Sequence, residues 1–357
     1  MKEEKNIPDY FKGRGSQVNP HNRFFKQEYV QEHIEGIDIP FLENEKTEII
    51  FTHPKTIINR VTSPDLMALS MNPYQGCEHG CIYCYARNTH EYWGYSAGLD
   101  FERKIIVKEN AAELLAKELS NPKWQPEGIM FSGNTDCYQP LEKKFGITRK
   151  MLEVLLKFRH PAGMITKNAL IRRDIDILSE MAKLNLVHVM ISITGLNEEL
   201  RMKLEPRTAT YKQRLETVRA LSDAGISTGI MMAPIIPGLN AHEIPDVLEA
   251  AANAGATSVG YTMVRLNGAV GVIFRDWLEK NFPDRADKVW HQIQEIHGGQ
   301  VNDSRYGTRM RGEGAIAESI RNLFKLSRNK FFPNENDFEF DLSLFNPRAG
   351  DSQLSLF

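Results

Sequence analysis

The stretch Asn72-Pro73-Tyr74-Gln75-Gly76-Cys77-Glu78-His79-Gly80-Cys81-Ile82-Tyr83-Cys84-Tyr85-Ala86-Arg87 holds three of the four cysteines of a 357-residue chain. They are spaced C-x3-C-x2-C and follow directly on an apolar run at residues 66–71. They therefore belong to a loop at the C-terminal end of a predicted strand. Three thiolates on one tight loop can hold three corners of a [4Fe–4S] cubane and leave one iron without a cysteine. Such an open iron is what a chelating cofactor needs. Gly76 and Gly80 suit a loop folded closely around an inorganic core. The alternative is a single zinc ion with His79 or His90 as fourth ligand. Small zinc modules more often pair two C-x2-C units or finish with spaced histidines. Here there is one x2 pair, and Cys137 lies far along the chain.

Downstream of the loop, short apolar runs alternate with stretches of helical spacing. The runs fall at 66–71, 128–131, 163–166, 187–194, 227–232 and 258–261. Between them, Ile147, Met151, Leu155 and Phe158 share one helical face, as do Tyr211, Leu215, Val218 and Leu221. Such alternation predicts an α/β chain with a parallel sheet and crossover helices. Six units make an incomplete (β/α)6 barrel with its reactive groups on the loops at the C-terminal strand ends. A flat doubly wound sheet stays open, because periodicity does not decide closure.

The expected organisation is an extended N-terminal arm over residues 1–65, a barrel over 66–265, a helical and basic extension over 266–330, and an acidic tail over 331–357. Trp277 and Trp290 are expected to anchor the helical extension. Residues 301–330 carry seven Lys or Arg against three acids, whereas the tail carries five acids and one Arg. Over the whole chain 44 basic residues face 46 acidic ones, which excludes a uniformly basic nucleic-acid binder. No apolar run approaches the ~18 residues that span a bilayer. The opening Met1-Lys2-Glu3-Glu4-Lys5 has no apolar segment of a secretory signal. Clustered cysteines fit metal ligation in a reducing compartment, so a cytoplasmic location without membrane attachment is expected.

C-x3-C-x2-C with an aromatic before the third cysteine, on the first loop of a βα barrel, resembles the radical S-adenosylmethionine (radical SAM) superfamily. The resemblance implies that Cys77, Cys81 and Cys84 bind a [4Fe–4S] cluster. It also implies that the open iron chelates SAM, whose reductive cleavage yields a 5′-deoxyadenosyl radical. Tyr83 is then a contact on the adenine side. A flavodoxin- or ferredoxin-type protein is the implied electron donor.

The run Phe131-Ser132-Gly133-Asn134-Thr135-Asp136-Cys137-Tyr138-Gln139-Pro140 resembles the spore photoproduct lyase-like branch, also called DNA repair photolyase-related. By that resemblance Thr135 and Asp136 meet the SAM amino group, and an ammonium does need such acceptors. Lys167 resembles the branch's strand-three lysine, which reaches the SAM carboxylate, and Ser192 its strand-four serine. Glu205-Pro206-Arg207 and the run Pro234 to Asn240 are implied to line the SAM ribose and adenine. Loop punctuation by Pro and Gly is their plainer reading. Photoproduct lyase returns a hydrogen atom from a cysteine three residues before the Asp. Gly133 holds that position here, and Cys137 directly follows the Asp instead. Cys137 and Tyr138 are the hydrogen-transfer candidates, with a buried structural thiol as the alternative for Cys137.

Two features bear on partners. Arg305, Arg309 and Arg311, interleaved with Tyr306 and glycines, suit phosphate contacts and base stacking. A solvated basic face is the alternative. Gln353-Leu354-Ser355-Leu356-Phe357 resembles the short peptide by which bacterial repair proteins dock on the sliding clamp. The leading expectation is radical chemistry on damaged DNA or another nucleic acid. The alternatives are a peptide or small-molecule substrate, and a zinc-stabilised nucleic-acid binder without catalysis.

Overall fold

The computed structural model describes residues 11–25, 46–62, 69–334 and 338–350. The clamp-like Gln353 to Phe357 and the start of the first apolar run lie outside these. Three short strands come first: β1 (Glu48–Thr52), β2 (Ile58–Arg60) and β3 (Leu69–Met71). β4 (Tyr74–Gln75) enters the cysteine loop, and β5 (Lys104–Lys108) follows it. The remaining strands are β6 (Ile129–Phe131), β7 (Ala162–Thr166), β8 (Val187–Ser192), β9 (Thr228–Ile235) and β10 (Ser258–Met263).

β3, β6, β7, β8, β9 and β10 are parallel neighbours in chain order, and β2 lies antiparallel along β3. A doubly wound sheet reverses its order at a switch point. This order never reverses, which sets the doubly wound alternative aside. The register keeps the strands in step: Phe131 lies beside Met164, Thr166 beside Ile191, and Ser192 beside Met231. Their C-terminal ends therefore emerge together. β8 alternates as expected for a strand with one face more deeply packed: Val187, Val189 and Ile191 are buried, and His188 and Met190 half-buried.

A second sheet, ordered β1-β5-β4, was not foreseen. It draws part of the expected arm into regular pairing, with β1 parallel to β5.

The helix Ile147–Phe158 buries the predicted face, Ile147, Met151, Leu155 and Phe158. The helix Tyr211–Asp223 turns its predicted face to the core, with Leu215 packed at its edge. It buries Arg214 with Tyr211, Val218 and Leu221 and leaves Leu215 half-buried. Trp277, in the helix Ala269–Asn281, is buried and donates its indole N–H to the Lys203 carbonyl at 2.9 Å. Trp290 is only half-buried, under the Arg275 guanidinium. The helix Gly314–Phe331 packs on Ile244–Asn253, and Phe324 meets Tyr261 of β10.

Residues 338–350 cross the opposite end of the sheet. Asp341 N–H reaches the Asn185 carbonyl just before β8, and Asn346 N–H reaches the Phe158 carbonyl just before β7. Phe345 stands edge-on to His160, and Phe338 stacks on His188.

Candidate active site

The cysteine loop is held by its own backbone and by neighbouring strand ends. Cys77 N–H donates to the Phe101 carbonyl at 2.9 Å. Gly76 and Gly80 have φ of 78° and 69°, a region that favours glycine. A Cβ on Gly76 would lie 2.9 Å from the Phe101 carbonyl oxygen, and one on Gly80 2.8 Å from Glu102 Oε2. The glycines expected to permit a tight loop are thus required by both conformation and space. Behind the loop, fully buried Arg87 donates to the carbonyls of Cys81, Ala97 and Gly98 and pairs with Glu102 at 2.5 Å. Glu102 also accepts the backbone N–H groups of Gly15 and Ser16, which ties the N-terminal segment to the loop.

The donor set fits a cluster. Cys77 and Cys81 are buried, Cys84 is half-buried, and none forms a disulfide. Burial raises the Cys81 thiol, and Glu205, Cys84 and Cys77 raise it further, while Lys167 opposes them. Burial and Cys77 likewise raise Cys84. A metal centre takes cysteine as its thiolate, so ligation would offset the cost of ionising Cys81 and Cys84. Among the described residues, no three His, Cys, Asp or Glu side chains are arranged to hold a single metal ion.

Thr135 and Asp136 follow β6 and serve this loop. Thr135 Oγ1 donates to the Gly76 carbonyl at 2.6 Å. Gln139, which the sequence reading passed over, bonds the Gly76 carbonyl, Thr135 Oγ1 and the Glu78 N–H. Asp136 accepts from Tyr138 N–H, Thr166 Oγ1, Lys167 N–H and His79 Nδ1. It joins the ends of β6 and β7 to the cysteine loop through one carboxylate. Burial would raise Asp136, but His79, Lys167 N–H and Thr166 hold it near about 2. Burial would lower His79, yet Cys77 and Asp136 carry it to about 10.

Lys167 is half-buried at the end of β7, its ammonium 5.8 Å from the centre of the Tyr83 ring. It lies close enough to Cys81 and Cys84 to favour their thiolates. Ser192 is buried, and its carbonyl accepts from Arg214 at 3.0 Å. The Tyr83 hydroxyl is given to Glu205, which also pairs with fully buried Arg214. Burial would raise Glu205, but Arg214, Lys167 and Tyr83 bring it down to about 2. Thr194 and Thr208 complete this polar knot, bonding Glu205 and Arg214 respectively. Arg214 is a second residue missed from the sequence, hidden because it occupies a helical position otherwise read as apolar. Arg207, expected on the SAM side, donates its N–H to the His79 carbonyl and turns its guanidinium to Glu78 at 3.3 Å.

Cys137 and Tyr138 are fully buried within the hydrophobic core. Burial raises both groups well above their ordinary values. The Tyr138 hydroxyl is bound to Asp174 at 3.1 Å. Tyr85, next to Cys84, is by contrast exposed and donates to the Gly133 carbonyl at 2.7 Å. The basic segment is not a free surface throughout. Arg305 is paired with Asp303 and Glu313, and Arg311 lies over the Tyr261 ring. No helix among the described residues is long and apolar enough to cross a membrane.

Several known proteins are similar to this chain in sequence or in fold. An uncharacterized protein of Mycobacterium tuberculosis is 34% identical over 240 residues, covering 66% of this chain and 70% of its own. One from Methanocaldococcus jannaschii is 29% identical over 246 residues, 69% of this chain and 88% of its own. The structure of spore photoproduct lyase complexed with dinucleoside spore photoproduct superposes with a TM-score of 0.59 at 17% identity, covering 80% of each chain. That likeness is one of fold. The profile of the radical SAM superfamily matches residues 71–251, the span from the end of β3 into the helix before β10. By that match, and by the relatives that share two thirds of its length, the chain belongs to the radical SAM superfamily of enzymes.

Proposed function

We propose that Cys77, Cys81 and Cys84 hold a [4Fe–4S] cluster and that the protein acts on a nucleic-acid substrate, in the manner of the spore photoproduct lyase-like branch. The cluster with bound SAM would supply one-electron cleavage of SAM to a 5′-deoxyadenosyl radical that takes a hydrogen atom from the substrate. The observation that carries this reading is the loop itself: three free cysteines in a glycine cradle pinned by Thr135 and Gln139. The six-stranded run in chain order supports an incomplete barrel with this loop at its mouth.

In this reading the half-buried Lys167 ammonium meets the SAM carboxylate. Asp136 already accepts from four donors of the chain. It therefore orients His79 and the Lys167 backbone, and would hold the SAM ammonium only in place of one of those donors. Cys137 and Tyr138, buried directly after Asp136, are the candidates for hydrogen transfer to the substrate. A low-potential flavodoxin- or ferredoxin-type donor is required. A peptide or small-molecule substrate is the second reading, favoured by the local pairing of Arg305.

The test is 5′-deoxyadenosine release by anaerobically reconstituted protein with dithionite and SAM, with and without ultraviolet-irradiated DNA. Release that disappears in Cys81→Ala and rises with damaged DNA is expected. Release indifferent to DNA would reject the nucleic-acid substrate and keep the radical chemistry. A colourless protein that binds one zinc ion would reject both.

A further inference from the structure

His79 stands between Cys77 and Cys81 in the sequence, and its side chain is buried. Its Nδ1 lies 3.3 Å from Asp136 Oδ2, and the ring is also within hydrogen-bonding reach of the Cys77 side chain. Its Nε2 lies 3.2 Å from Asn168 Nδ2. Both neighbours are themselves fixed. Asp136 accepts from Thr166 Oγ1 at 2.7 Å and from the N–H groups of Lys167 and Tyr138 at 2.9 and 2.8 Å. Asn168 accepts the Leu170 N–H at 3.0 Å and gives its own backbone N–H to Thr166 Oγ1 at 3.0 Å. The His79 carbonyl accepts the Arg207 N–H at 3.2 Å. The imidazole is thus held by residues that follow β6 and β7, with a cysteine of the loop against it.

A hydrogen bond to a thiolate ligand draws charge away from an iron–sulfur cluster and makes the cluster easier to reduce. Out of water such a bond acts at low local dielectric, where its effect is larger. The Ala86 N–H reaches Cys84 in this way from the backbone. His79 is placed to do so from a side chain. We propose that His79 is a positioning residue that donates an N–H to Cys77 Sγ and thereby raises the reduction potential of the cluster. This inference rests on the cluster reading given above. The effect needs the N–H, whatever the charge of the ring. Because both ring nitrogens face fixed residues, the orientation of the ring is set by the protein before a cluster is built.

The test is a potentiometric titration of the reconstituted full chain, anaerobic and without SAM, followed by electron paramagnetic resonance. His79→Leu removes the donor. Asn can place an amide N–H near the position of Nδ1, and Gln one near that of Nε2. The expected result is a more negative midpoint potential in His79→Leu at unchanged iron content. The reduction equilibrium should change at least about tenfold, or about 59 mV for one electron. His79→Asn or His79→Gln should recover about half of that shift or more. A second measurement needs no variant to fold. With histidine isotopically labelled at nitrogen, pulsed resonance of the reduced wild-type cluster should show a weak hyperfine coupling to the label, absent from His79→Asn. Where His79→Leu takes up no cluster, that coupling decides. A wild-type potential in His79→Leu, an equal shift in all three variants, or no coupling to the label in the wild type overturns the inference. A wild-type chain that forms no four-iron cluster rejects the cluster reading and this inference with it, a result distinct from a cluster indifferent to His79.

Discussion

At the scale of single residues, the Glu205–Arg214 pair sets the sharpest expectations. Both side chains are fully buried, and each relies on the other for its charge. Removing one partner leaves an uncompensated charge in the interior. Arg214→Met should therefore cost about 3–5 kcal/mol in urea unfolding at neutral pH. The sign with pH follows from the carboxylate. Glu205 is held near about 2 in the folded chain against an ordinary 4.5. Its contribution is complete above about 4.5 and is lost as pH falls from there towards about 2. Without Arg214 the folded-state value rises, so the acid loss of stability should shift to higher pH. Superimposable acid limbs for wild type and Arg214→Met would remove the pair from any account of stability.

Among the elements, the helix Tyr211–Asp223 begins with a reciprocal cap. Thr210 accepts from Gln213 N–H, and Gln213 returns its side chain to Thr210 N–H. Thr210→Ala should cost about 1 kcal/mol in chemical denaturation while iron content after reconstitution stays at the wild-type level. A variant that also lost iron would mean that this helix end supports the cysteine loop. The strands were legible because their apolar runs are short and spaced by helical stretches. Helix Ile147–Phe158 was legible because its buried face is apolar apart from Thr148. The face of Tyr211–Asp223 was legible too, but its buried Arg214 was not, because its charge is matched by Glu205 on another element, which no local pattern records. The sheet β1-β5-β4 escaped for a related reason. β4 is two residues long, and β1 pairs with a strand beyond the cysteine loop. At the site, the cysteine spacing revealed the donors. The ties made by Gln139, Arg87 and Glu102 depend on contacts between distant residues, and only the folded chain displays them.

For the whole molecule, two outlying segments embrace opposite ends of one sheet. Residues 14–16 bind Glu102 behind the cysteine loop, and residues 338–350 lie across the starts of β7 and β8. Deleting residues 338–357 uncovers Phe158 and His160 and removes the Phe345 and Phe338 contacts. It should lower the melting temperature yet leave cluster incorporation unchanged, read by iron content and the visible absorption of the reconstituted protein. Loss of the cluster in that truncation would show that the two ends communicate. The same polarity matters for anyone who wires the molecule to an electrode. A tether beyond residue 350 would leave the cysteine loop facing the bulk solution, whereas one ahead of residue 11 would bring it to the conducting surface. The choice of attachment end would thus decide whether current or a soluble donor supplies the electron.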